Sequence, residues 1–149
     1  MKKLPFLALL LFPLLLTAQT TAYNQEKGFV ANGYDVVSYF DNSVKKGNKS
    51  LTFTYENAKF RFSSQNNLAK FKANPEKYIP QFGSWCAYAM ATTGEKVTIN
   101  PETYEIRNDK LYLFYNAYFT NTLKKWKAEN PTELAQKANV NWAKSQYEE

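Results

Sequence analysis

The sequence predicts an α+β domain, a small antiparallel sheet of two hairpins with helices packed against it. Three observations point there. Two pairs of short segments alternate apolar and polar residues around tight connections, the pattern of half-buried antiparallel strands. The stretches between and after them have helical spacing and open on capping residues. Aromatic residues make up 17% of the chain, with 11 Phe, 11 Tyr and 3 Trp, which is far too many for a disordered polypeptide.

Taken in order, Val36–Phe40 is a short apolar piece, a strand or a single helical turn, and residues 41–50 form a polar loop. Leu51–Tyr55 and Lys59–Ser63 alternate around Glu56-Asn57-Ala58 and predict the first hairpin. Ser63 or Ser64 is a helix N-cap, and Leu68, Phe71, Tyr78 and Ile79 share helical spacing, with Pro75 restarting the chain in a second short turn. The segment Pro80-Gln81-Phe82-Gly83 breaks that run. Trp85–Ala91 predicts another helix, stopped by Gly94. Thr103–Arg107 and Lys110–Tyr115 flank Asn108-Asp109 as the second hairpin. The remainder reads as helical. One helix turns Leu123, Trp126 and Lys127 to a shared face. A second has Asn130 as cap, Pro131 at its first position, Glu133 completing a capping box, and Leu134, Ala138, Asn141 and Trp142 as its inner stripe.

The ends and the composition bound the function. Met1-Lys2-Lys3 followed by the apolar run Leu4–Leu16 and a small-residue stretch predicts a signal peptide over residues 1–22, cut after Ala18 or Ala22. Thirteen apolar residues are too few for a membrane span, which needs about 20. The expected location is therefore periplasmic or secreted, with one domain over residues 23–149 and no stable membrane span after cleavage. The chain has one cysteine and no histidine. That excludes Ser-His-Asp and Cys-His catalysis, histidine metal ligation, an internal disulfide and a CxxC redox pair. The net charge of +6 is spread along the chain, and two of those charges leave with the leader. The densest basic patch, Lys124-Lys125-Trp126-Lys127, reads as the solvated face of a helix, and export argues against a nucleic-acid partner.

Cys86 and Met90 are the sharpest chemical candidates. Placed four residues apart on a helix they would share one face, and a thiolate with a thioether is a soft donor pair suited to Cu(I). The plainer reading makes both of them core residues. A third makes Cys86 a reactive thiol in the first turn of a helix, although no resolving cysteine accompanies it. Tyr34, Asp35 and Tyr39, with Tyr88 and Asn116, are the candidates for a polar aromatic ligand pocket. Against that reading, Asp35 would cap the short element after it and the tyrosines would bury their rings. Glu102 and Glu105 read as surface.

Four segments resemble one family. Gly33–Phe40 (GYDVVSYF) resembles the GYDPVAYF opening of exported bacterial YHS-domain proteins. Residues 60–67 (FRFSSQNN), with Phe71, Pro75 and Tyr78, resemble the YHS core. Residues 80–89 (PQFGSWCAYA) resemble that group's PQYGGYCAYA, and residues 109–116 (DKLYLFYN) its DGKLYLNYN. The resemblance covers roughly residues 29–145. It implies a YHS/TRASH-like fold and a non-catalytic protein that binds a soft, copper-like metal ion or a small ligand. A structural or interaction domain without metal is the alternative. Arg61 stands where the family's histidine would be sought.

Overall fold

The computed structural model describes residues 21–146, so the leader assigned to residues 1–22 lies outside it apart from Thr21 and Ala22. Three hairpins form the β structure. Strand β1 (Thr52–Tyr55) pairs with β2 (Ala58–Arg61), β3 (Asn100–Arg107) with β4 (Lys110–Phe114), and β5 (Asn116–Ala117) with β6 (Thr120–Asn121), all antiparallel. Each turns through two residues with left-handed backbone, as a primed hairpin turn requires: Glu56-Asn57, Asn108-Asp109 and Tyr118-Phe119.

The expected single sheet is therefore corrected to three separate two-stranded sheets. The flanks of the two larger hairpins are covered by turns instead of strands. The turn Val30–Gly33 packs on β2, the turn Gln81–Ser84 packs on β4, and the two turns touch each other. Both wind through left-handed residues, Ala31 to Gly33 in one and Phe82 to Ser84 in the other. The buried Ser84 Oγ accepts the Ala31 N–H at 3.2 Å and fastens them together.

The helices begin where capping chemistry places them. In α1 (Gln65–Ala73) Ser64 Oγ accepts the Asn67 N–H at 3.1 Å, and Pro75 opens α2 (Pro75–Tyr78). Helix α3 spans Ala87–Thr92, starting two residues later than the pattern predicts. In α4 (Thr122–Ala128) the Asn121 side chain accepts from the Leu123 and Lys124 amides. In α5 (Pro131–Ser145) Asn130 accepts from the Glu133 amide, while the Glu133 carboxylate pairs with Lys137 at 2.8 Å. The open choice at Val36–Phe40 resolves to a helical turn over Ser38–Asp41. The segment 116–121, read as helical, is the third hairpin, for Tyr118-Phe119 carries none of the residue types that mark a turn. Among the described residues no helix is long and apolar enough to cross a membrane.

Strand β4 divides the core in two. Side chains alternate across a strand, so Leu111 and Leu113 enter one cluster and Tyr112 and Phe114 the other. The first cluster centres on Phe71, whose ring meets Phe60 at 4.7 Å, Phe62 at 5.1 Å, Tyr55 at 6.1 Å and Phe53 at 6.2 Å. In the second, Trp126 packs on Tyr112 and Phe114, and its indole N–H donates to Glu105 Oε2 at 2.8 Å. Truncating a buried phenylalanine costs about 3–5 kcal/mol, and a domain of this kind has only about 5–15 kcal/mol in total. Phe71→Ala is accordingly expected to shift the urea unfolding midpoint by that cost. A shift of under about 1 kcal/mol would show that Phe71 is not the keystone of its cluster.

Candidate functional site

Asp35 is fully buried, and its carboxylate meets four donors. Oδ1 accepts the Val37 amide at 3.0 Å, and Oδ2 accepts the Ser63 amide at 2.8 Å, the Ser63 hydroxyl at 2.6 Å and the Asn67 side-chain amide at 2.7 Å. Its main chain adds a bond from the Asp35 amide to the Lys45 carbonyl and accepts the Ser38 hydroxyl at 2.6 Å. Asp35 thus ties the loop before the Ser38–Asp41 turn to the end of β2 and the start of α1. It does not cap the Ser38–Asp41 turn, whose N-cap is Val37 with no side-chain cap bond; its Oδ1 holds the Val37 amide just ahead of that turn. Both of its carboxylate oxygens are engaged inside the protein.

Tyr34, Tyr39 and Asn116 converge on one place, the first residues of β3. The Tyr34 hydroxyl donates to Glu102 Oε1 at 3.0 Å, Tyr39 to the Pro101 carbonyl at 2.6 Å, and the Asn116 amide to Thr103 Oγ1 at 3.0 Å. The Tyr39 ring stands edge-on to Tyr104 at 5.0 Å. These polar groups fasten the edge of the strand. Glu102, read as plain surface, is one of their partners. Tyr88 is not part of this group. It lies on α3 and donates to Glu129 at 2.8 Å, with Lys125 above its ring at 6.0 Å.

Cys86 and Met90 are both fully buried and fall in different clusters, Cys86 in the first and Met90 in the second. The reason is local. The left-handed turn over residues 82–84 leaves Trp85 extended, and Cys86 becomes the N-cap of α3 with ψ 117°. Its carbonyl accepts the Met90 amide at 3.0 Å, so Met90 lies one turn further on, while the two side chains pack into different clusters. The Cys86 sulfur instead accepts the Tyr115 amide at 3.3 Å and lies 3.4 Å from Thr122 Oγ1. The single hydroxyl proton of Thr122 goes to the Tyr115 carbonyl at 2.9 Å, which leaves the thiol as donor to Thr122. Among the described residues no group of three or more Cys, Asp or Glu is placed to hold a metal ion.

Arg61 lies flat on Phe29, its guanidinium carbon 3.6 Å from the ring centroid. Its Nε is buried without a hydrogen-bond partner. Gly47 makes the packing possible, for a Cβ there would stand 2.3 Å from the Arg61 Cβ and 2.6 Å from its carbonyl carbon. The guanidinium is a stacked structural cation and has no capacity to ligate a metal.

The feature missed in the sequence is the β5–β6 tip. Tyr118 and Phe119 are 89% and 112% exposed. The available signal was two adjacent aromatics between Asn-Ala and Thr-Asn at a point where neither helical nor strand periodicity continues. A shallow groove of about 420 Å³ between α3 and α5, lined by Ala91, Gln136, Lys137, Val140 and Asn141, is the other apolar opening of note. Compared with known proteins, the chain matches no family model, no curated protein and no solved structure.

Burial pushes the Tyr39 hydroxyl far above the usual phenol range, with smaller contributions from Tyr34, Tyr104, Glu102 and Asp35. Burial first and Glu56 second do the same to Tyr23. The folded state holds these protons more tightly than the unfolded chain. The associated stability is therefore complete below about pH 10 and is lost as pH rises above it. A tyrosinate absorbance titration followed alongside circular dichroism is expected to show exposed tyrosines ionising first and the buried ones, Tyr39 and Tyr23 among them, only with unfolding. One step at about pH 10 with the fold intact would contradict this. Removing the Asp35 carboxylate leaves buried donors from Val37, Ser63 and Asn67 unpaired, so Asp35→Ala is expected to cost roughly 3 kcal/mol or more in urea unfolding. Asp35→Asn replaces one acceptor by a donor and recovers only part of that loss. A neutral Asp35→Ala would contradict the arrangement.

Proposed function

We propose that this chain is an exported, non-catalytic interaction domain of YHS type that docks through its β5–β6 tip and works without a resident metal ion. The observation that carries this reading is a contrast. The side chains that the sequence offered as ligands are committed to internal bonds or core packing, while two aromatic rings are left wholly in solvent on one hairpin. The apolar leader supports export, and the four motif segments support the family assignment. With no histidine in the chain, and with the candidate carboxylate and thiol both spent on structure, none of the candidate groups is free to move a proton.

The resemblance itself favours the other reading, a soft metal ion held by Cys86 and Met90. That reading requires the Cys86 sulfur to give up the Tyr115 amide and Thr122 in a fully buried position, which leaves the Tyr115 amide unpaired. Cu(I) titration of the purified protein against a competing chelator separates the two. Wild type and Cys86→Ser are expected to bind equally and weakly, since serine can replace the thiol in its hydrogen bonds. Tight binding by wild type that is lost in Cys86→Ser would overturn the metal-free reading.

A further inference from the structure

Among the described residues only three large apolar side chains are exposed, and two of them are neighbours, Tyr118 and Phe119. They make up the whole two-residue loop between β5 and β6, with φ of 48° and 64°. Bulky L-residues are disfavoured in this left-handed region, where Asn and Gly sit with little strain. The β3–β4 hairpin makes the same turn with Asn108-Asp109. Local backbone energetics therefore work against this pair, and exposure of two adjacent rings works against solubility. A large aromatic pair held in place against both pressures is a contact element.

The surrounding charge says what it contacts. Strand β6 runs without a linker into α4, where Lys124, Lys125 and Lys127 are exposed. None of these three forms an ion pair among the described residues. Residues 110–132 contain four lysines and a single carboxylate, Glu129, which accepts the Tyr88 hydroxyl. A hairpin tip bearing one wholly apolar ring and one amphipathic ring, followed directly by a basic helix, fits the boundary between headgroups and acyl chains of an anionic bilayer. The phenyl ring enters the apolar side, the tyrosine hydroxyl stays at headgroup level, and the ammonium groups meet lipid phosphates.

We propose that the Tyr118–Phe119 hairpin is an interfacial anchor that seats this domain on an anionic lipid surface, with the α4 lysines supplying the electrostatic attraction. The proposal rests on the docking reading above and names its partner. The test is co-sedimentation with phosphatidylcholine vesicles with and without phosphatidylglycerol, for wild type and for the double variant Tyr118→Asn/Phe119→Gly, both carrying the same N terminus. The variant installs favoured turn residues, so its melting temperature is expected to equal or exceed that of wild type, and any loss of binding is not a loss of fold. Wild type is expected to partition onto the phosphatidylglycerol vesicles, less so as salt is raised, and the variant to lose roughly tenfold or more of that partition. Equal partition of the two proteins overturns the proposal, as does failure of wild type to bind at low salt. If wild type ignores vesicles but self-associates in sedimentation velocity, and the variant does not, the lipid anchor falls while docking through the tip stands. Copper binding that depends on Cys86 would instead remove the metal-free reading and leave the vesicle result to be judged by itself.

Discussion

The arrangement of this domain depends on β4 being buried on both faces. A strand with only Leu-Tyr-Leu-Phe to offer cannot turn a polar side to water, so each face must be covered by something else. The β1–β2 hairpin and α1 cover Leu111 and Leu113 through the Phe71 cluster. Helices α3, α4 and α5 cover Tyr112 and Phe114 through Trp126, Leu134 and Ala138. Trp126 is central to the second face because its ring packs on β4 while its indole N–H reaches Glu105 on β3, which fixes α4 against the hairpin. The position of β6, and so of the exposed tip, follows from where α4 is fixed.

The same partition explains the fate of the candidate residues. Cys86 sits where α3 meets the end of β4 and the start of α4, and its sulfur closes a small polar knot with Tyr115 and Thr122. Met90, one helical turn further on, belongs to the other side of the strand. Asp35 performs the corresponding task on the first side, binding segments that are 28 and 32 residues away in the chain. Both are polar groups whose solvation has been replaced by bonds to the main chain and to short hydroxyl or amide side chains. That is the condition under which a buried polar atom costs little.

Local signals in the sequence were legible and long-range ones were not. The hairpin around Asn108-Asp109 and the caps at Ser64 and Asn130 depend on residues within a few positions of one another, and the structure places them as the sequence predicts; the first hairpin forms too, but Ala58, read as part of its connection, is the first residue of β2. The separation into three sheets was hidden because the covering turns at residues 30–33 and 81–84 come from remote parts of the chain. The late start of α3 was hidden because small residues from Ala87 onward mask the left-handed turn just before them. The convergence of Tyr34, Tyr39 and Asn116 on β3 was half visible. The residue types were right, but only the fold shows that their hydroxyl and amide groups are consumed in fastening one strand edge. The tip escaped because Tyr-Phe in a primed turn contradicts turn chemistry, and local rules fail where another requirement overrides them.

Burial of a single thiol within hydrogen bonds, in a chain without a second cysteine, has a consequence for biogenesis. Folding needs no oxidant and no disulfide isomerase, and the chain has no internal disulfide for a reductant to open. Its architecture is thus indifferent to the redox state of whatever compartment receives it. An oxidant can reach Cys86 only when α4 and the end of β4 separate, which ties chemical damage at that sulfur to the rate at which the domain opens.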